Sequence, residues 1–189
     1  MSRPELYITL VVGPNCDMEA FAMRSTLEYF GARVTVHWIG RPNDLIDVLS
    51  GEELDKRCDY LILAFHGDEG RLCMPELGEE VYEPDEPRGE FFDFHDVKRY
   101  ANLKNIKVIA SGCTLGEEKL ANAFLECGCH SYIAPDDYID GNSSLMFVIR
   151  FMYEMINNKK NQQDAFEIAK SIDEECLMYQ RFVSQNTIV

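Results

Sequence analysis

The chain is predicted to fold as an α/β three-layer sandwich, a mostly parallel sheet with helices on both faces. Three observations carry that prediction. Five short apolar runs are nearly continuous rather than alternating, as in strands buried on both sides. Helical patterns lie between them, so strand and helix alternate and parallel, right-handed crossovers follow. Finally, 189 residues with a 46% hydrophobic content can bury a good core without staples. One domain over residues 1–189 is expected.

The expected strands are Leu6–Val12, Arg33–Trp38, Tyr60–Ala64, Lys107–Ala110 and Ser131–Ala134. A helix over Asp17–Phe30 has Asn15 or Asp17 as its cap and Gly31 as its stop. Asp44–Ser50 is a short helix, His95–Leu103 a third, and Glu117–Cys127 a fourth that ends at Gly128. Two more helices close the chain. Ser143–Asn157 is apolar almost all round and should be well buried. The second, at about 162–183, carries an apolar stripe at Phe166, Ala169, Ile172, Cys176 and Tyr179.

One segment breaks the alternation. Eight acids and a single base lie between Glu76 and Asp93, interrupted by prolines and glycines. Arg71–Met74 reads as the start of a small hairpin, and an acidic loop at about 75–93 reads as exposed. The carboxylates are dense, but the spacing of a calcium-binding EF-hand loop is absent, and no metal site is expected.

The informative feature is how two of the strands end. "YLILAFHGDEG" (Tyr60–Gly70) runs into His66-Gly67, and "KVIASGCTLGE" (Lys107–Glu117) runs into Gly112-Cys113. In a parallel α/β sheet, ligands bind beyond the carboxyl ends of the strands. If these two strands are neighbours, they lie about 4.8 Å apart, which brings an imidazole within reach of a thiol. An ordinary thiol has a pKa of about 8.5, so a nearby base is what makes it a nucleophile. Gly67 and Gly112 let the chain turn sharply at both places. The N–H groups of Gly67 and Cys113 are candidate oxyanion donors. Glu117 and Glu118 occupy the first turn of the following helix and offset its positive end, which favours a base-assisted cysteine over a resting thiolate. Taken singly, such a cysteine is a small buried hydrophobe and such a histidine a solvated group. The pairing on successive strand ends, each beside glycine, is what singles them out.

Other chemistries fit less well. A cysteine phosphatase needs Cys-x5-Arg, but Lys119 stands where the arginine would, and two acids intervene. The Gly-x-Ser-x-Gly elbow is missing. "VVGPNCD" has no phosphate-cradling pattern, which weakens a flavodoxin-like or nucleotide-binding reading, and no cofactor is expected. The net charge of -15 disfavours nucleic acid and anionic membrane as partners. The seven cysteines are irregularly spaced, no apolar run approaches the roughly 18 residues of a span, and no leader pattern opens the sequence. A cytoplasmic protein with free thiols is the expectation.

"AFHG" followed by "ASGC" resembles the paired motifs of the caspase-like clan (clan CD) of cysteine peptidases, which includes caspases, gingipains, clostripain, legumain and separase. The likeness covers roughly residues 55–157 and is greatest to the CHAT group, caspase-like domains often found beside tetratricopeptide repeats in bacteria. "LANAFLECGCHSYIAPDDYIDGNSSLMFVIRFMYEMI" resembles that group's C-terminal half. The resemblance implies a caspase-like sandwich with flavodoxin-like strand order and a cysteine endopeptidase. His66 would be the general base or acid, Cys113 the nucleophile, and Gly67 and Cys113 the oxyanion donors. Asp136, Asp137 and Asp140, just past the fifth strand, are candidates for an acidic pocket that binds arginine or lysine; the residues also read as turn and cap residues. The implied partner is a protein or peptide substrate, with regulation either by a protein partner in trans or by the acidic loop. The Gln-Ala-Cys-x-Gly form of true caspases is absent, which argues against strict aspartate specificity. The alternative is a catalytically weak or inactive CHAT-like protein that serves as a binding or regulatory module.

Overall fold

The computed structural model describes residues 6–184. Its centre is a six-stranded sheet of β1 (Tyr7–Val12), β2 (Arg33–Trp38), β3 (Tyr60–Ala64), β7 (Lys107–Ala110), β8 (Ser131–Pro135) and β9 (Tyr179–Val183), in the order β2-β1-β3-β7-β8-β9. The first five are parallel to their neighbours, and β9 pairs antiparallel with β8. Counted along the main sheet, the parallel strands run 2-1-3-4-5, the flavodoxin-like order.

The helices α1 (Asp17–Tyr29), α5 (Gly141–Ile156) and α6 (Gln162–Lys170) cover one face. The other is covered by α2 (Pro42–Ser50), α3 (Phe94–Tyr100) and α4 (Glu118–Glu126). The near-continuous apolar strands are explained by this arrangement. Within β3, Tyr60, Ile62 and Ala64 join Met23, Phe147 and Phe151 on the first face. Leu61 and Leu63 join Leu45, Val97 and Phe124 on the second. Successive side chains alternate between faces, and here both faces are dry.

Two expectations change. The last helix stops at Lys170 instead of reaching the low 180s. Asp173 then takes the N–H of Cys176 (2.8 Å) and the hydroxyl of Ser143 (2.9 Å), and a 3-10 turn at Glu175–Met178 leads into β9. The free edge of β8 offers a ladder of unpaired backbone groups, and the strand-favouring "YQRFV" takes it. The apolar stripe therefore splits: Phe166 and Ala169 face the core from a helix, Tyr179 from a strand.

The acidic loop is also more ordered than expected. A three-stranded antiparallel sheet forms from β4 (Gly67–Asp68), β5 (Arg71–Cys73) and β6 (Phe91–Phe92). Within the loop, Glu86 has no exposed side-chain surface. It receives Arg41 on both oxygens, at 3.0 and 2.6 Å, and the N–H groups of Asn43 and Glu83, both at 2.9 Å. The Arg41 hydrogen bonds hold its pKa at about 2. The middle of the loop is thus pinned to the start of α2.

Candidate active site

The site grows from the register of the sheet. Leu63 of β3 stands beside Ala110 of β7. His66 lies three residues beyond Leu63, and Cys113 three beyond Ala110. The two residues therefore leave adjacent strands at equivalent positions. His66 is exposed and Cys113 is half-buried at the rim.

The two turns pack backbone against backbone. A Cβ on Gly112 would collide with the carbonyl oxygen of Phe65 and stand 3.0 Å from the nitrogen of Gly67. One on Gly67 would collide with the carbonyl oxygen of Cys113. Glycine is required at both places by this close approach. Cys73 N–H donates to the His66 carbonyl at 3.0 Å. Gly67, opposite Leu72, is consequently a non-hydrogen-bonded pair of that ladder, and its N–H points away from β5.

Thr114 follows the cysteine with a φ of 59°, a strained conformation for a β-branched residue. It is held there from two sides. Its N–H donates to the Asp137 carbonyl at 3.0 Å, and its hydroxyl accepts the N–H of Gly70 at 3.1 Å. The Cys113 sulfur lies 3.5 Å from both the nitrogen and the oxygen of Ile139. The β4–β5 hairpin, the turn after β7 and the loop after β8 are thereby joined around one thiol.

The three predicted pocket acids all lie on that last loop and are exposed. Asp136 accepts the side-chain amide of Gln180 at 2.9 Å. Asp137 accepts the N–H of Tyr138 at 2.7 Å. Asp140 caps α5 by accepting the N–H groups of Asn142 and Ser143 at 2.9 and 3.3 Å. Its carboxylate is committed to the helix, whereas the loop places Asp137 directly beside Thr114.

Sequence reasoning missed Glu19, in the first turn of α1. Its carboxylate accepts the hydroxyl of Ser111 at 2.8 Å, two residues before Cys113. Burial raises its pKa, while the Ser111 hydrogen bond and the charge of nearby His66 pull the other way. The signal was an acid shortly after the first strand, which is invisible without knowing that β1 and β7 both flank β3. Burial also pushes up the other thiols, Cys16, Cys129 and Cys176 each to about 12, and raises Cys58, Cys73 and Cys127. Among the described residues, no group of three metal-binding side chains comes together, and no helix is long and apolar enough to cross a membrane.

No family model and no curated protein matches the chain. Solved structures do. The Arg-specific cysteine proteinase gingipain R superposes with a TM-score of 0.61 at 11% identity, covering 99% of this chain and 50% of that one. The complex of Porphyromonas gingivalis RgpB pro- and mature domains gives 0.60 at 12% identity, over 95% of this chain and 47% of that one. The Saccharomyces cerevisiae separase–securin complex gives 0.60 at 9% identity, over 95% of this chain and 12% of the other.

The fold is caspase-like. The chain spans about half the length of the gingipain structures and a small part of separase. At these identities the likeness is one of fold. The caspase-like sheet is nonetheless the frame on which His66 and Cys113 occupy neighbouring strand ends.

Proposed function

We propose that this chain is a cysteine peptidase of the caspase-like clan, a CHAT-like catalytic unit that cleaves after a basic residue. The supporting observation is the shared position of His66 and Cys113 past paired strands, with their two glycine turns in backbone contact. In this reading His66 takes the thiol proton as the Cys113 sulfur attacks the scissile carbonyl carbon. The oxyanion that forms accepts the N–H groups of Gly67 and Cys113. Collapse breaks the C–N bond, and His66 returns the proton to the departing amine. A thioester remains, which water hydrolyses with His66 again as base. Glu19, fixed by Ser111, stabilises the imidazolium.

Asp136 and Asp137 supply negative charge to the specificity wall, with Asp140 shaping it as the helix cap. No cofactor enters the reaction. A protein partner regulates the unit in trans, as the pro-domain and securin complexes of the gingipain and separase structures suggest.

The test combines labelling and turnover. A peptidyl chloromethyl ketone ending in arginine should modify Cys113 alone among the seven cysteines. Cys113→Ala should lower hydrolysis of basic peptides by at least about 10³-fold without unfolding the protein. Equal turnover in wild type and variant rejects the proposal. The alternative, a weak or inactive binding module, is favoured by the bond that Tyr138 makes to Asp68 at 2.6 Å across the mouth of the site. Its mark would be a stable partner complex indifferent to His66→Ala and Cys113→Ala.

A further inference from the structure

We propose that Asp68 is a binding site for a cationic side chain of the ligand, and that the Tyr138 hydroxyl holds its place until the cation displaces it. The inference rests on the proposed function for the nature of the cleft, but its test does not.

Asp68 lies on β4, two residues after His66, at the start of the hairpin that leaves the end of β3. Tyr138 lies on the loop after β8, next to the Ile139 whose backbone meets the Cys113 sulfur. Tyr138 donates to Asp68 Oδ1 at 2.6 Å, so this side-chain bond links the two walls that flank the thiol.

This bond is built to be replaced. Tyr138 is 58% exposed, so its ring is free to be displaced into solvent. Its hydroxyl is neutral: it satisfies a lone pair of Asp68 without cancelling the charge. Arg71 reaches Asp68 Oδ2 at 3.2 Å, but the same nitrogen serves Glu69 at 3.0 Å, so one guanidinium is shared between two carboxylates. An arriving ammonium or guanidinium forms a charge-assisted bond, roughly twice as strong as a neutral one. Taking Oδ1 releases Tyr138, so cation binding and opening of the cleft are one event. The Asp68 hydrogen bond also raises the Tyr138 pKa, the direction expected when a phenol donates to a carboxylate.

The experiment compares labelling rates at Cys113, read by mass spectrometry. The reagents are cationic 2-aminoethyl methanethiosulfonate and neutral methyl methanethiosulfonate. Tyr138→Phe frees Asp68 and should raise the cationic-to-neutral rate ratio about fivefold, the factor of one ordinary hydrogen bond. Asp68→Asn should lower the ratio below wild type. A merely structural bridge is lost in Tyr138→Phe but kept in Asp68→Asn, whose amide oxygen still accepts the Tyr138 hydroxyl; its loss would change labelling by both reagents alike and leave the Tyr138→Phe ratio at the wild-type value. General negative potential would lower the ratio in Asp68→Asn and leave Tyr138→Phe at the wild-type value. An unchanged or lowered ratio in Tyr138→Phe therefore overturns the proposal.

A second measurement needs no variant. Benzylamine should protect wild-type Cys113 from the neutral reagent and benzyl alcohol should not; equal protection by both also overturns it. A protein that behaves as expected here yet cleaves no peptide keeps this inference and loses the peptidase reading.

Discussion

Two acidic regions of the molecule meet different partners. Between Glu76 and Asp93 the carboxylates face guanidinium groups: Arg41 reaches Glu86 at 2.6 Å and Glu83 at 3.4 Å, and Arg88 reaches Glu79 at 2.7 Å. Around Cys113 the partners are mostly uncharged. Glu19 has the Ser111 hydroxyl, Asp136 the Gln180 amide, and Asp137 and Asp140 backbone N–H groups. Asp68 is intermediate, with a tyrosine hydroxyl and half of an arginine. A neutral donor satisfies a lone pair and leaves the charge standing. In the loop, then, charge is spent on holding a segment against α2. At the rim it remains available to a ligand, and clefts lined with one sign of charge concentrate ligands of the other.

The largest expected effect is on the loop. Glu86→Ala strands Arg41 and two backbone N–H groups and should cost about 3 kcal/mol, measured by urea unfolding. Arg41→Ala should cost a similar amount, and the double variant less than the sum. A loss below about 0.5 kcal/mol would mean the clamp is ornamental and erase the contrast. Acid should act on the same group. Glu86 has a folded pKa of about 2 against an ordinary 4.5, so its contribution is complete above 4.5 and is lost as pH falls toward 2. Glu86→Gln should flatten that part of the stability–pH curve.

At the rim the effects should be smaller. Asp140→Ala removes the α5 cap and should cost about 1 kcal/mol. Asp136→Asn keeps an acceptor for Gln180 and should stay within about 0.5 kcal/mol. Thermal melts of the two variants sharpen the comparison, because neither rim acid is holding a buried cation.

The sheet and its site were legible to different degrees. The apolar runs at Tyr60–Ala64 and Lys107–Ala110 gave two strands to the residue, because strands buried on both faces leave an unbroken hydrophobic signal. The ends of those strands pointed to His66 and Cys113, since glycine and a chemically able side chain stood together at each. The antiparallel β9 was not legible: Phe166, Ala169, Ile172, Cys176 and Tyr179 satisfy a helical period, and only the open edge of β8 decides otherwise. Nor was the Glu86–Arg41 pair, whose partners are 45 residues apart and carry no local pattern. Glu19 was hidden for the same reason, being joined to Ser111 over 92 residues.

Glu19 gives the most discriminating prediction. Burial raises its folded pKa above the ordinary value of 4.5, so it favours the folded state when protonated and loses that contribution as pH rises through the folded pKa. At neutral pH the buried charge is a net cost. Glu19→Gln keeps an acceptor for Ser111 and removes the charge, so it should stabilise the protein by less than about 1 kcal/mol, with a gain that grows above pH 4.5. This is opposite in sign to Glu86→Gln. If Glu19 supports a charged His66, the same variant should weaken any hydrolysis and move its pH profile, since the imidazolium loses its counter-charge. A gain in melting temperature with an unchanged profile would make Glu19 a buried acid with no bearing on His66. A loss of stability would put it with Glu86 among the structural carboxylates.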